Sequence, residues 1–287
     1  MTDVTQVFVP GHVTGFFTVE RDDDPTIAGS TGAGLVLTDG VTVTVRRAEE
    51  SSVALDGDDV EMEAVERTLD ALRVTAEVRG ATDLPVGAGF GVSGAMALGA
   101  AFGANAVFER GLSAYELATV AHGAEVQAGT GLGDVVAQRH GGAAIRLEPG
   151  SPQHNKMDAI PARSRVEYLV EGELPTSEVI DSDSDTDTLN RHGRQALSDL
   201  VQEPTLETFV SASRRFARES GLLTDWVQDV VTDVNEAGGD ATMGMLGETV
   251  VALDTGLSDA GYEPEVCQVD PTGATMLVPP GEPAFPE

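Results

Sequence analysis

The sequence predicts an α+β protein of two domains, and three observations carry that expectation. At 287 residues the chain is long enough for two moderate hydrophobic cores. Stretches of period-two alternation are interleaved with stretches of helical spacing, so neither class dominates. A polar, proline-rich segment, EPGSPQHNKMDAIPARS, interrupts the pattern and marks a boundary near residue 155, giving domains of 1–155 and 156–287. Hydrophobic residues make up 41% of the chain and aromatics only 5%, so both cores should be built from Val, Ala and Leu.

Taken in order, GLVLTDGVTVTV reads as a hairpin about an Asp39-Gly40 turn, with Val41, Val43 and Val45 on one face and Thr42, Thr44 and Arg46 on the other. MEAVERTLDALR, from Met62 to Arg73, has helical spacing, and Val74, Ala76 and Val78 then alternate as a strand. A helix is expected from about Ser93 to Glu109. Ser113 and Glu116 form the two ends of a capping box that opens another, running to about Gln127. AAIRL ends the first half as a strand. In the second half a strand is expected around Tyr168, helices at about 205–219 and 224–237, and a strand at ETVVAL. DSDSDTDT, from Asp181 to Thr188, reads as a solvated loop, since it lacks the glycine and closing Glu of a calcium loop. PPGEPAFPE reads as a surface tail.

The charge balance excludes several functions. There are 48 acidic residues against 17 basic ones, for a formal net charge of −31, and the only lysine is Lys156. Self-repulsion of this size is relieved in about 1 M salt, where the screening length is roughly 3 Å, so the composition points to a salt-adapted, halophilic protein. With no basic patch, nucleic acid is not an expected partner. The most apolar run, Gly94 to Phe108, is too short and too rich in Gly and Asn to span a bilayer. MTDVTQVFVPGH lacks the features of a signal peptide, so a cytoplasmic location is expected. The lone Cys267 excludes an intrachain disulfide and reads as a small core residue. Oligomeric state is left open, a homodimer included.

Two segments carry chemistry. In LPVGAGFGVSGAMALGAAFGANAVF, Pro85 ends a strand, and Gly87, Gly89, Gly91 and Gly94 precede an alanine-rich helix. Strand, glycine loop and helix N-terminus together form an anion site, because the backbone approaches phosphate closely and the helix dipole favours negative charge. Ser93 would lie in the first turn, where a hydroxyl can ligate the magnesium that bridges ATP phosphates. No Lys follows the last glycine, so this is not a Walker loop. The glycines alone also fit a close helix–sheet packing turn. In HGAEVQAGTGLGDVVAQRHGG, Asp134 follows a loop containing Gly129, Gly131 and Gly133, and can be aimed to accept a hydroxyl proton. Glu125, near the end of a helix, can hold magnesium. Read singly, Asp134 could equally be a helix N-cap and Glu125 a surface charge.

Four segments in order resemble the signature of the GHMP kinase superfamily. PGHVTGFF (Pro10 to Phe17) is similar to its PG-x-V segment and PVGAGFGVSGA (Pro85 to Ala95) to its P-x-G-x-G-L-G-S-S-A loop. GTGLGD (Gly129 to Asp134) is similar to its S-G-x-D-like loop and AGGDATMGMLG (Ala237 to Gly247) to its glycine-rich C-terminal segment. The resemblance implies an N-terminal ATP-binding α/β domain, a C-terminal ferredoxin-like α/β domain and a cleft between them. It implies nucleotide contacts from Pro85, Gly87, Ala88, Gly89, Phe90, Gly91, Val92, Ser93, Gly94 and Ala95. It also implies Mg2+ on Ser93 and Glu125, and Asp134 acting on the substrate hydroxyl. Within the superfamily, VPGHVTGFF, DDDPTIAGSTGAGL, AEVQAGTGLGDVVAQ and RFARESGL resemble segments of the archaeal pantoate kinases, which implies γ-phosphoryl transfer from ATP to the 4-hydroxyl of (R)-pantoate in coenzyme A synthesis.

Departures are visible. Many GHMP kinases carry Lys or Arg after the first PG, where this chain has His12, and the first of the paired serines is Val92. His12 either orients substrate in the catalytic centre or is a satisfied structural histidine. AGGDATMGMLG either closes over the phosphates or is a tight helix–strand loop. Pantoate's carboxylate calls for a cation, with Arg21, Arg191 and Arg194 available. The remaining histidines have no ligand spacing, so no zinc is expected. Other GHMP activities, on mevalonate or homoserine, and a nucleotide-binding regulator without catalysis are the competing readings.

Overall fold

The computed structural model describes residues 4–173 and 183–277. Two antiparallel-rich sheets organise it. The first is led by two long strands, β1 (Val4–Phe17) and β2 (Gly32–Arg47). It continues through β5 (Ala76–Thr82), β3 (Ser52–Leu55) and β4 (Asp58–Asp59), and β12 (Thr275–Leu277) closes it on the far side of β1. β6 (Ala143–Glu148) pairs with the first half of β2, and β7 (Lys156–Ile160) pairs with β6. The chain thus leaves the first sheet only after Ile160, touches it again at the Leu37–Val269 bridge and rejoins it as a strand at Thr275.

The hairpin expected at Asp39-Gly40 is corrected. β2 runs through these residues as one strand, and the register against β1 jumps from Pro10↔Gly40 to His12↔Val36. The surplus residues bulge: Leu37 bridges Val269, and Thr38 Oγ1 accepts a bond from the Gln268 N–H at 3.0 Å. Gly40 is required by closeness rather than by a turn, because a Cβ there would collide with the Val9 carbonyl. The bulge re-aims the strand, so Gly32–Leu35 pair with β6 while Val41–Arg47 pair with β5. The expected alternation survives, with Val41, Val43 and Val45 fully buried.

Helices α1 (Glu63–Leu72), α2 (Val92–Val107), α3 (Ala114–Ala128) and α4 (Asp134–His140) accompany this sheet. α2 is apolar all round, as a central helix must be, and Ala95, Ala97, Leu98, Ala100, Ala101 and Ala104 are fully buried. Its glycines set its depth: a Cβ on Gly99 would strike Val43 and one on Gly103 would strike Val45. The capping box of α3 forms as expected, with the Ser113 N–H donating to Glu116 Oε2 at 2.8 Å and the Glu116 N–H to Ser113 Oγ at 3.3 Å.

The second sheet has the order β11 (Glu265–Gln268), β8 (Arg165–Glu173), β10 (Gly247–Leu253), β9 (Ala241–Gly244), all antiparallel. Between β8 and β9 the described helices are α5 (Asp183–Gln202), α6 (Leu206–Glu219) and α7 (Asp225–Glu236); α8 (Gly256–Asp259) lies between β10 and β11. This is a ferredoxin-like βαββαβ arrangement. α6 and α7 open on Thr205 and Thr224, whose hydroxyls accept from the N–H groups of Thr208 and Val227. The loop expected for DSDSDTDT is corrected from Asp183 onward, where α5 begins; a helix N-terminus favours negative charge, and the run holds no Gly or Pro to stop it. Asp181, Ser182 and the tail PPGEPAFPE lie outside the described residues. Cys267 is buried, as a core residue should be.

Phe16 and Phe17, at the end of β1, join the two halves. They meet Phe209 and Phe216 of α6 at ring-centroid distances of 6.2 Å (Phe16–Phe209), 6.5 Å (Phe16–Phe216) and 5.7 Å (Phe17–Phe216). At the other end of the second sheet, the tip between β9 and β10 rests on the glycine loop. The Met245 N–H donates to the Thr14 carbonyl at 2.8 Å, and Thr249 Oγ1 donates to the Ala88 carbonyl at 2.9 Å.

Candidate active site

The segment after β5 carries the glycine loop into α2. Gly91 stands at the N-cap of α2 with φ 65°, a left-handed conformation that glycine adopts without strain, and no side chain caps the helix. The first N–H groups of α2 therefore have no intrahelical partner and face outward with the positive end of the dipole, as anion binding requires. Gly89, at φ 84°, admits the β9–β10 tip: a Cβ there would lie 2.5 Å from the Met245 carbonyl oxygen. AGGDATMGMLG is therefore not a tight helix–strand loop: it holds β9 and the turn into β10, and that turn packs on the glycine loop at Gly89.

A cavity of about 470 Å³ opens over this loop, lined among others by Gly89, Gly91, Ser93, Glu125, Thr130, Asp134 and Leu246. A larger recess of about 1080 Å³ opens beyond Pro85, but Asp39, Asp56, Asp83, Glu263 and Glu265 line it, and their charge opposes a triphosphate.

On the cavity floor Ser93 and Thr130 both donate hydroxyl hydrogen bonds to Glu125 Oε1, the latter at 2.6 Å. Glu125 is 2% exposed, so it is not a surface charge. Burial, followed by the charge of Asp134, pushes its carboxyl up to about 7, against the two hydroxyl bonds. Asp134 is the first residue of α4, the N-cap being Gly133. Burial alone would raise its carboxyl, but the hydrogen bond and charge of His12, the charge of Arg146 and its own backbone N–H outweigh this and hold it below the usual range.

His12 is completely buried, with Nδ1 2.7 Å from Asp134 Oδ1 and Nε2 3.4 Å from a terminal nitrogen of Arg146. Burial lowers its pKa, as does Arg146, against the pull of Asp134. The ring is neutral near pH 7, donating from Nδ1 to the carboxylate and turning the bare Nε2 to the guanidinium.

Arg146 is the residue that sequence reasoning missed. It lies on β6 and is 2% exposed; its Nε has no partner, and burial lowers its pKa to about 10. A small cavity of about 20 Å³ brings it together with Asp134, Ser30, Gly131 and Gly133. A Cβ on Gly133 would lie 2.7 Å from that Nε. The signal was present in AAIRL, where one charge sits inside an apolar strand. None of Arg21, Arg191 and Arg194 lines either cavity; Arg194 pairs at the surface with Glu20 at 3.1 Å.

Residues 61–142 match the family model for the GHMP kinases N terminal domain. Among curated proteins, the chain is 31% identical to the pantoate kinase of Methanocaldococcus jannaschii, over 86% of this chain and 92% of that one. It is 35% identical to the pantoate kinase of Methanospirillum hungatei, over 88% of each. A solved structure described as a phosphotransferase related to the CoA biosynthesis pathway superposes with a TM-score of 0.87 at 27% identity, covering 97% of this chain and all of that one. The homoserine kinase of Cytophaga hutchinsonii shares the fold, with a TM-score of 0.68 at 17% identity, over 96% of this chain and 98% of that one. Fold and glycine loop thus define a GHMP-type small-molecule kinase. Within that class the chain belongs to the pantoate kinase family.

Proposed function

We propose that this chain transfers the γ-phosphoryl group of ATP to the 4-hydroxyl of (R)-pantoate, giving (R)-4-phosphopantoate for coenzyme A synthesis in a salt-rich cytoplasm. The observation that carries the site reading is the 2.7 Å bond from His12 to Asp134, which presents an ionised carboxylate at the end of the phosphate loop. Asp134 then accepts the hydroxyl proton as the oxygen attacks phosphorus, a step worth about 10²- to 10⁴-fold in rate. His12 holds the carboxylate in place and supplies no charge of its own, at a position where many GHMP kinases bear Lys or Arg. The backbone of Pro85 to Ala95 holds the phosphates.

Among the described residues no cluster of three or more His, Cys, Asp or Glu could hold a metal by itself. That suits magnesium, which takes one or two protein oxygens and completes its shell from phosphates and water. Ser93 and Glu125 offer two adjacent hard oxygens, with Thr130 beside them. A protein of this fold described as MDDEF has been solved with MVAPP, AMPPCP and magnesium. When bound, magnesium neutralises charge on the phosphates.

Arg146, which lines the small cavity beside Asp134, is the cation best suited to the pantoate carboxylate. A buried guanidinium with spare donors is stabilised by an arriving carboxylate, and that contact sets the 4-hydroxyl against Asp134. A hydroxy-acid panel with ADP detection in molar salt tests the assignment. Turnover of mevalonate or homoserine but not pantoate overturns it.

A further inference from the structure

α4 carries two side chains toward the glycine loop, and the reaction accounts for only one of them. Asp134 and Gln138 are four residues apart and therefore share a face of the helix. Gln138 is completely buried, yet its amide is only half satisfied: Nε2 donates to the Gly91 carbonyl at 2.8 Å, while Oε1 has no partner. Its main-chain carbonyl also accepts from the Ala274 N–H at 2.9 Å, so one residue contacts the phosphate loop, α4 and the segment returning to β12.

Gly91 is where these contacts meet. Its carbonyl takes both the first hydrogen bond of α2, from the Ala95 N–H at 3.0 Å, and the amide of Gln138. A Cβ built on Gly91 would stand 3.0 Å from Gln138 Nε2 and 3.1 Å from Asp134 Oδ1. At Gly94 the corresponding position lies 3.2 Å from Gln138 Oε1, 3.2 Å from Glu125 Oε2 and 3.3 Å from Asp134 Cβ. Glycines at both positions let the loop backbone lie directly against α4. The orientation of the Gly91 peptide sets the direction of the exposed N–H groups at the start of α2, and among the described residues Gln138 is the side chain that bonds its carbonyl.

A purely structural role does not explain this choice. An apolar side chain of similar length would fill the same space and remove an unsatisfied buried oxygen, which is costly to fold around. A residue kept against local stability beside a reactive centre is the mark of a functional demand. We propose that Gln138 is a positioning residue that clamps the phosphate loop to the helix bearing Asp134, fixing the distance between the bound γ-phosphate and the proton acceptor. The inference rests on the kinase reading given above.

Gln138→Leu and Gln138→Met remove the donor while keeping the bulk, and the second covers the case in which branching at Leu disturbs packing. Both are compared with wild type for melting temperature, kcat, KM for ATP, KM for pantoate and affinity for a non-hydrolysable ATP analogue. The expected result is a fall of about tenfold or more in kcat/KM for ATP and weaker analogue binding. The pantoate KM should stay within about threefold, and melting within a few degrees. Values of kcat/KM for ATP within twofold of wild type in both variants overturn the proposal. So does a uniform loss in which melting temperature and both KM values deteriorate together, since that is what a packing role predicts. If wild type does not turn over pantoate, the substrate assignment fails, and the analogue titration still decides whether Gln138 holds the phosphate loop.

Discussion

Replacing Arg146 with Met should separate stability from function. In the folded protein the guanidinium is 2% exposed, its Nε is unpartnered, and burial brings its pKa down to about 10. Lowering the pKa of an arginine by that amount corresponds to about 3 kcal/mol of unfavourable folding free energy, at roughly 1.4 kcal/mol per pKa unit. Methionine carries no such cost and fills most of the same volume. R146M should therefore melt no lower than wild type, with a gain of up to about 3 kcal/mol offset in part because Asp134 loses a favourable charge nearby. Truncating one partner of a desolvated ion pair typically costs about 2–4 kcal/mol, so kcat/KM for pantoate should drop roughly 30- to 1000-fold. The KM for ATP should move less than about threefold, since Arg146 does not line the nucleotide cavity. Steady-state ADP release against pantoate concentration, with thermal melts in the same molar-salt buffer, reads both effects. An R146M protein that melts well below wild type and keeps its pantoate KM would show that Arg146 is a structural cation and refute the anchor.

Asp134→Asn keeps a group able to bond His12 but removes the proton acceptor; kcat should fall about 10²- to 10⁴-fold while ATP-analogue binding persists, and unchanged kcat would remove Asp134 from the chemistry. Glu167 is buried, and although burial alone would raise its carboxyl, the bonds from Arg165 and from the Ser258 N–H and hydroxyl hold it below its ordinary value. A depressed folded pKa contributes stability above the unfolded value, near about 4.3, and loses it as pH falls through the folded value. The melting advantage of wild type over Glu167→Gln should accordingly be full at pH 7 and shrink below about pH 4; a constant difference contradicts the linkage. Ser113→Ala removes the hydroxyl half of the α3 capping box, leaving the bond from the residue-113 N–H to Glu116, and should cost about 1 kcal/mol in a denaturant titration.

What the sequence revealed and what it hid follow from the range of the forces involved. The alternation of Val41, Val43 and Val45, the Ser113–Glu116 box and the glycine loop are local signals, set by residues a few positions apart. Asp39-Gly40 is also a local signal, for a turn, but it lost to tertiary context: Gly40 is needed where β1 and β2 approach, and the bulged residues find partners at 268 and 269. The acidic run near 183 was read through its solubility, whereas its lack of a breaker and its favourable place at a helix N-terminus decide its conformation. Asp134 and Glu125 were legible because glycines flank them. Gln138 was not, and Arg146 showed only as a charge inside an apolar strand, because each makes its contact across the fold, with Gly91 and with His12.

The net charge of −31 makes the salt response of ATP binding a test of how the site works. The one lysine, Lys156, is exposed on β7 and absent from the cavity lining. Within the site, the charge of Asp134 is opposed by that of Arg146, and His12 is neutral. On the proposed reading, short-range backbone N–H groups and a metal ion hold the phosphate, while the surrounding carboxylates repel it at longer range. Salt screens the long-range repulsion and leaves contacts of about 3 Å nearly untouched. The KM for MgATP should therefore fall, by at most severalfold, as KCl is raised from about 0.3 to 1 M, where the screening length shortens from roughly 5–6 Å to 3 Å. A site built on exposed cations responds the other way. Circular dichroism at each concentration separates this effect from a change in folding with salt. A KM that climbs severalfold while the spectrum stays constant would mean that an exposed cation, rather than the Gly91 end of α2, carries the phosphates.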